Sequence, residues 1–235
     1  MRRRRRFALL ALVLVVFGAL AGGLYGVHQA MPAWYARLWY PLDHEAVIVR
    51  EAQRNNIDPA LVAAVIYTES GFVPDSRSSQ GAVGLMQMLP GTAEFVATLP
   101  QRPSPPPEAI TKPEANIAYG VRYLRYLIDR HGSVPLALAA YNGGEANVAE
   151  WERVAIARGG TLRIPEDIPF TETRGFVTRV LKTQPIYRRA YGDRLGGGPG
   201  RVRAPRLSHG GTGRAGRAAG RRARWCQWRS ISSIR

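Results

Sequence analysis

The sequence predicts a mainly helical, all-α domain behind one membrane-length N-terminal helix. Three observations carry that reading. After five arginines, Arg2 to Arg6, the chain runs 21 residues from Phe7 to Val27 without a charge. Beyond it, apolar residues recur at helical spacing, as in Ile117, Val121, Leu124 and Ile128, which step by four, three and four. The helical stretches are set apart by start and stop residues: Asp58-Pro59, Gly71, Pro90-Gly91 and Asn142-Gly143-Gly144. The serine-rich stretch between Val73 and Val83 has room for a small β-hairpin.

Taken in order, residues 1–6 form a basic end and residues 7–27 an apolar span. A helix of that length matches the hydrocarbon core of a bilayer, roughly 30 Å thick. The arginines hold the preceding end in the cytoplasm and place the rest outside. The reading is a single-pass signal anchor in the cytoplasmic membrane, with the folded domain on the extracytoplasmic side. The alternative is a cleavable signal peptide with Ala19-Leu20-Ala21 as its small-residue site, giving a secreted protein. The anchor is favoured because the apolar run continues past Ala21, and because Trp34, Tyr35, Trp39 and Tyr40 suit an interfacial belt. Residues 28–42 read as a juxtamembrane linker, and no cysteine follows the span to carry a lipid.

Residues 43–192 read as the folded domain. A surface helix is expected within Asp43 to Asn56. Asp58 caps the next helix, Pro59 to Glu69, whose residues are apolar almost all round and so belong in the core. Pro90 opens a helix to about Leu99. The proline-rich stretch from Pro100 to Pro113 is irregular. Helices follow over Glu114–His131, Val134–Tyr141, Glu145–Ala157 and Thr171–Ala190, the last with Pro185 inside it. Residues 193–235 hold eleven arginines and one acid among many glycines, a composition without a core and expected to be disordered.

The net charge of +16 invites a nucleic-acid reading, but its distribution rejects one. Between residues 28 and 192 there are 17 basic and 16 acidic residues, so the domain is nearly neutral and the excess lies in the two ends. The tail reads as a solvated segment, or as a contact for anionic polymer or lipid. The single cysteine, Cys226, allows no internal disulfide. Four scattered histidines, His28, His44, His131 and His209, offer no metal-ligand spacing, and no metal or cofactor is expected.

The chemistry concentrates between Glu69 and Gln87. Glu69 ends an apolar helix that presents Val62, Val65 and Ile66 on the same face. A carboxyl in such company holds its proton more tightly, as a general acid must. Glu69-Ser70, followed by Ser78 to Ala93 with its Gly84-Leu85-Met86-Gln87 turn, resembles the lytic transglycosylases of the soluble-transglycosylase type, relatives of goose-type lysozyme. Ala140-Tyr141-Asn142-Gly143-Gly144 resembles the family's Ala-Tyr-Asn motif. Ile168 to Val177 is similar to its Pro-x-x-Glu-Thr-Arg-x-Tyr-Val segment, and Asn116-Ile117 with Gly120 to Leu124 matches a further helix. Leu89 stands where the family often has Met, and Phe176 where it often has Tyr.

The resemblance implies a lysozyme-like fold and cleavage of the β-1,4 bond between N-acetylmuramic acid and N-acetylglucosamine in peptidoglycan. It places Glu69 on the single catalytic acid/base. It places Ser78 on a serine that orients the substrate's N-acetyl group, and Met86 and Gln87 in the cleft. Tyr141 falls near the catalytic carboxyl, Asn142 supports that loop, and Glu172 falls on a second carboxylate deeper in the cleft. Read by themselves, Met86 suits core packing as well as a cleft wall, and Tyr141 suits a buried ring with its hydroxyl satisfied. Glu172 also suits a first-turn helix position, paired with Arg174 or the helix dipole. Ordinary glycosidases set two carboxylates across the bond. The family pattern offers one, and the resemblance then implies that the substrate assists and that Glu69 returns as base to close a 1,6-anhydro ring. The competing readings are a hydrolase of the same fold and an inert glycan-binding module. Joint retention of Glu69, Ser78, Gln87, Tyr141 and Glu172 argues against the second.

Overall fold

The computed structural model describes residues 2–100 and 105–196. The Gly/Arg-rich tail beyond residue 196, with Cys226, lies outside the described residues, as do residues 101–104. Helix α1, Arg2–Ala30, continues three residues past the expected span. By length and composition its Leu12–Ala30 stretch suffices to cross a membrane, and its apolar side chains are exposed, Phe17 and Leu24 both at 71%.

Only Met31 and Pro32 separate α1 from α2, Ala33–Trp39. The stretch read as a linker is therefore part of the packed structure. Ala36 is fully buried, Arg37 Nε donates to the Ala190 carbonyl at 2.7 Å, and the Tyr187 hydroxyl donates to the Pro41 carbonyl at 2.7 Å. Tyr40, expected in an interfacial belt, turns inward instead. Its ring lies 5.0 Å from Tyr67 and 6.1 Å from Tyr187, and its carbonyl accepts from Tyr191. Trp34 and Trp39 remain outside, at 61% and 62% exposure.

Helix α3 spans Glu45–Arg54, and α4 spans Pro59–Ser70. Every residue from Ala60 to Ile66 is buried, as the all-round apolar pattern predicts. Asp58 does two things at the start of α4. Its Oδ1 accepts from the Ala60 N–H at 2.9 Å, and its Oδ2 accepts from Gln184 Nε2 at 2.8 Å and pairs with Arg188. The cap thus also pins α4 to the last helix. At the other end Gly71 closes α4 in the left-handed region, φ 61°.

The stretch after Gly71 forms turns. Among the described residues it holds isolated antiparallel bridges, Arg77 with Val83 and Val83 with Met88, and no extended strand. Helix α5 is Pro90–Ala97, a 3-10 turn covers Pro107–Thr111, and α6 is Pro113–His131. Helix α7, Val134–Gly143, runs two residues past the expected stop, because the chain leaves helical geometry only at Gly144, φ 86°. Helix α8 is Glu145–Ala157 and α9 is Thr171–Tyr191, with Pro185 inside it. The core is a stack of helices: α4 against α9 and α3, α6 against α7 and α3, and α7 bridging to α8 and α9. Residues 193–196 stay with it, since Leu195 is buried and Arg194 pairs with Glu45.

Candidate active site

Glu69 sits in the last turn of α4, half-buried, above the fully buried Val65 and Ile66. Burial is the main reason its carboxyl is pushed up to about 8 from its ordinary 4.5. The negative charge of Glu172 adds to the rise, and Arg179 opposes it. At neutral pH the group is therefore mostly protonated, the state a general acid needs.

Ser70, the next residue, holds the facing loop in place. Its Oγ reaches the Leu85 carbonyl at 2.9 Å and the Ile66 carbonyl at 3.2 Å. From the opposite side Asn116 of α6, almost wholly buried, fixes the same loop. Its Oδ1 accepts from the Met86 N–H at 2.7 Å, while Nδ2 donates to Val83 and Ile110 carbonyls, each at 2.8 Å. Gly84 is required there for two reasons: φ is +79°, and a Cβ would stand 2.4 Å from Asn116 Nδ2.

That clamp decides where Met86 goes. Met86 has no exposed surface, so its side chain lines no cleft; it fills the notch above Gly120, where a Cβ would come 2.5 Å from Sδ. Its contribution to the site is its backbone, because the Tyr141 hydroxyl donates to the Met86 carbonyl at 2.8 Å. Met88 Sδ lies 3.4 Å from the same hydroxyl. Tyr141 stacks parallel on Phe176 at 6.3 Å and leans on Tyr123 at 5.4 Å. Burial, then the carboxyl of Glu69, then Tyr123 hold its phenol well above the ordinary range, so it stays a neutral donor. Phe176, where the family often has Tyr, is 2% exposed and serves this stack with its ring alone.

Gln87 adopts the left-handed region, φ 46°, and its Nε2 donates to Gly84 and Ser76 carbonyls at 2.9 and 3.2 Å. Its Oε1 is left as an acceptor. Ser78 lies exposed on the neighbouring turn, where Oγ accepts from the Ala82 and Gln80 N–H groups at 3.0 and 3.2 Å. Two accepted bonds leave its own proton free to donate outward. Asn142 is half-buried in the last turn of α7. Glu172 is exposed in the first turn of α9, so it is a surface carboxylate acting on Glu69 through its charge, not a deep one.

The structure thus gathers Glu69, the Met86 carbonyl and Tyr141 into one locus, with Glu172 and Arg179 acting on it from α9. Ser70 and Asn116 stood in the motifs read from the sequence, but their positioning roles did not. A polar residue within an otherwise apolar helix face, four positions before a glycine, was the available signal for Asn116.

Fold and site together define an all-helical domain in which a partly buried carboxyl, protonated at neutral pH, is presented beside a clamped loop and a partly buried tyrosine. Residues 46–162 match the family described as Transglycosylase SLT domain. The soluble lytic murein transglycosylase of Salmonella typhimurium is 34% identical over 157 residues, 66% of this chain and 24% of that protein. The endo-type membrane-bound lytic murein transglycosylase A of Klebsiella pneumoniae is 34% identical over 125 residues, 49% of this chain and 58% of that one. Among solved structures, an inactive mutant of the lytic transglycosylase Slt from Pseudomonas aeruginosa superposes with a TM-score of 0.58. It is 33% identical, over 69% of this chain and 26% of that one. The chain belongs to the transglycosylase SLT domain family. It spans about a quarter of the length of the soluble relatives.

Proposed function

We propose that this protein is a membrane-anchored lytic transglycosylase that cleaves the β-1,4 bond following N-acetylmuramic acid in peptidoglycan and leaves a 1,6-anhydro end. The observation that carries the reading is Glu69, a half-buried carboxyl protonated up to about pH 8, with no carboxyl of comparable burial beside it in the described site. A pair working by direct displacement or through a water needs two carboxylates flanking the bond. The exposed Glu172 supplies charge and not a second buried acid.

In this reading Glu69 gives its proton to the glycosidic oxygen as the bond to C1 breaks. The acetamido oxygen of the same sugar stabilises the electron-poor C1, and Ser78 holds that acetamido group with its outward hydroxyl. Glu69, now a carboxylate, takes the proton of the C6 hydroxyl, whose oxygen closes on C1. The acid is regenerated and no water is consumed. Gln87 Oε1 accepts from a sugar hydroxyl, while Tyr141 and Asn142 form the wall beside the acid.

The anchor is the second part of the proposal. The exposed apolar Leu12–Ala30 stretch suits a bilayer span, the Klebsiella pneumoniae relative is named as membrane-bound, and Met31 packs on the core directly after α1. The alternative, release after cleavage near Ala21, is checked by the N-terminal sequence of the mature protein.

Incubating the full chain with purified peptidoglycan tests the activity. Soluble muropeptides are expected from the native protein and none from Glu69→Gln. An unchanged rate in that variant would remove Glu69 from the reaction.

A further inference from the structure

We propose that Arg179 is a binding residue for a carboxylate carried by the lactyl-bearing sugar or its attached peptide; this rests on the peptidoglycan reading above. Helix α9 places Glu172, Phe176 and Arg179 at positions i, i+4 and i+7, one stripe of its surface. The middle member fixes where the stripe faces, because Phe176 stacks on Tyr141, whose hydroxyl holds the Met86 carbonyl. Arg179 therefore lies on the wall that overlooks the acid, and it is one of the two charged groups acting on Glu69.

Its neighbourhood is built for an open guanidinium. The side chain folds back over Gly175, with Nη1 3.1 Å from where a Cβ would stand, so a glycine leaves it room. It is exposed, and among the described residues it makes no hydrogen bond and no ion pair. Two of the other three arginines of the same helix are engaged: Arg188 pairs with Asp58, and Arg189 donates to the Ala30 carbonyl at 3.3 Å. Glu172 does not clamp Arg179, being seven residues away, about 10 Å along the helix axis. With Glu69 protonated at neutral pH, this wall carries a cation without a fixed partner. A guanidinium presents a planar fork that takes a carboxylate through two parallel N–H bonds.

The peptidoglycan substrate offers such a group in two places. The lactyl ether of N-acetylmuramic acid ends in a carboxyl, which is free when the peptide is removed. When the peptide is attached, its own acidic residues carry carboxylates. A recognition contact of this kind would make Arg179 a specificity residue that acts on binding and leaves the proton transfer to Glu69.

The test uses the full chain in detergent, with Glu69→Gln as an inactive background, and measures affinity for three soluble glycan fragments. One carries peptides, one has been stripped to free lactyl carboxylates, and one has every carboxyl converted to an amide. Adding Arg179→Gln is expected to weaken binding about tenfold where a carboxylate is present, the size of one charge-assisted contact. It should leave the amidated fragment unaffected, and Arg179→Lys should recover part of the loss. A loss confined to the peptide-bearing fragment assigns the peptide carboxylate, and a loss confined to the stripped fragment assigns the lactyl one. An equal loss on the amidated fragment, or no loss on any, overturns the proposal. Because binding is read without turnover, that result stands apart from whether the native chain cleaves peptidoglycan.

Discussion

Replacing Glu69 by glutamine should stabilise the fold, and by an amount that depends on pH. In the folded protein the carboxyl is pushed up from 4.5 to about 8, chiefly by burial. With the folded pKa above the unfolded one, the contribution of the protonated group is full below pH 4.5. It is lost as pH rises through 8, since the unfolded chain releases the proton first. At pH 7 the native protein has lost about 3 kcal/mol relative to a neutral isostere, and at pH 5 no more than about 1 kcal/mol. Glutamine keeps the shape and removes the titration. Thermal unfolding of both proteins in the same detergent, from pH 5 to pH 8, isolates the difference. The variant's Tm advantage should grow with pH to about 6–12 °C at pH 7, at about 2–4 °C per kcal/mol for a domain of this size. An advantage that does not change with pH would show that Glu69 titrates as an ordinary solvated carboxyl. Glu69 would then not be a proton donor at neutral pH.

The charges on α9 should move the same titration in opposite directions. Glu172→Gln removes a negative charge that raises the Glu69 carboxyl, so the alkaline limb of the pH–activity profile should shift to lower pH, while Arg179→Gln should shift it higher; unmoved limbs would dissociate α9 from the acid. Asn116→Ala strips partners from the Met86 N–H and from the Val83 and Ile110 carbonyls. A loss of about 2–4 kcal/mol is expected in denaturant unfolding, since each buried group left unpaired costs about 1–3 kcal/mol and some will find water. Gly84→Ala should destabilise for a different reason, a side chain forced at φ +79° into the Asn116 amide, and Asn116→Ala in the same chain should relieve part of that cost. Strict additivity of the two losses would place the Gly84 problem elsewhere.

The helices were legible because their signals are local. Asp58-Pro59, Gly71 and the spacing of Ile117, Val121, Leu124 and Ile128 each act within one or two turns of chain, and the structure places α4 and α6 accordingly. Glu69 was legible because the apolar residues before it, Val62, Val65 and Ile66, belong to its own helix. What eluded reading was long-range. Tyr40 looked like a belt residue beside Trp39, and only the packing of α2 on α9 turns it toward Tyr67 and Tyr187. Met86 looked equally suited to cleft and core, and its fate depends on Gly120, thirty-four positions away, leaving a notch of its size. Glu172 shared a motif with known cleft residues, yet its first-turn position leaves it exposed. The extent of α7 differed by two residues because Asn142 and Gly143 continue the helix and the turn waits for Gly144.

In the proposed reaction one carboxyl, Glu69, passes its proton chemistry to the sugar's own hydroxyl and not to water. Digesting peptidoglycan with the full chain in water enriched in heavy oxygen, and weighing the newly formed ends, tests it directly. The expected products are 1,6-anhydro ends one water lighter than reducing ends, with no heavy oxygen incorporated at C1. Reducing ends that carry the heavy oxygen would contradict it and make the protein a hydrolase of the same fold.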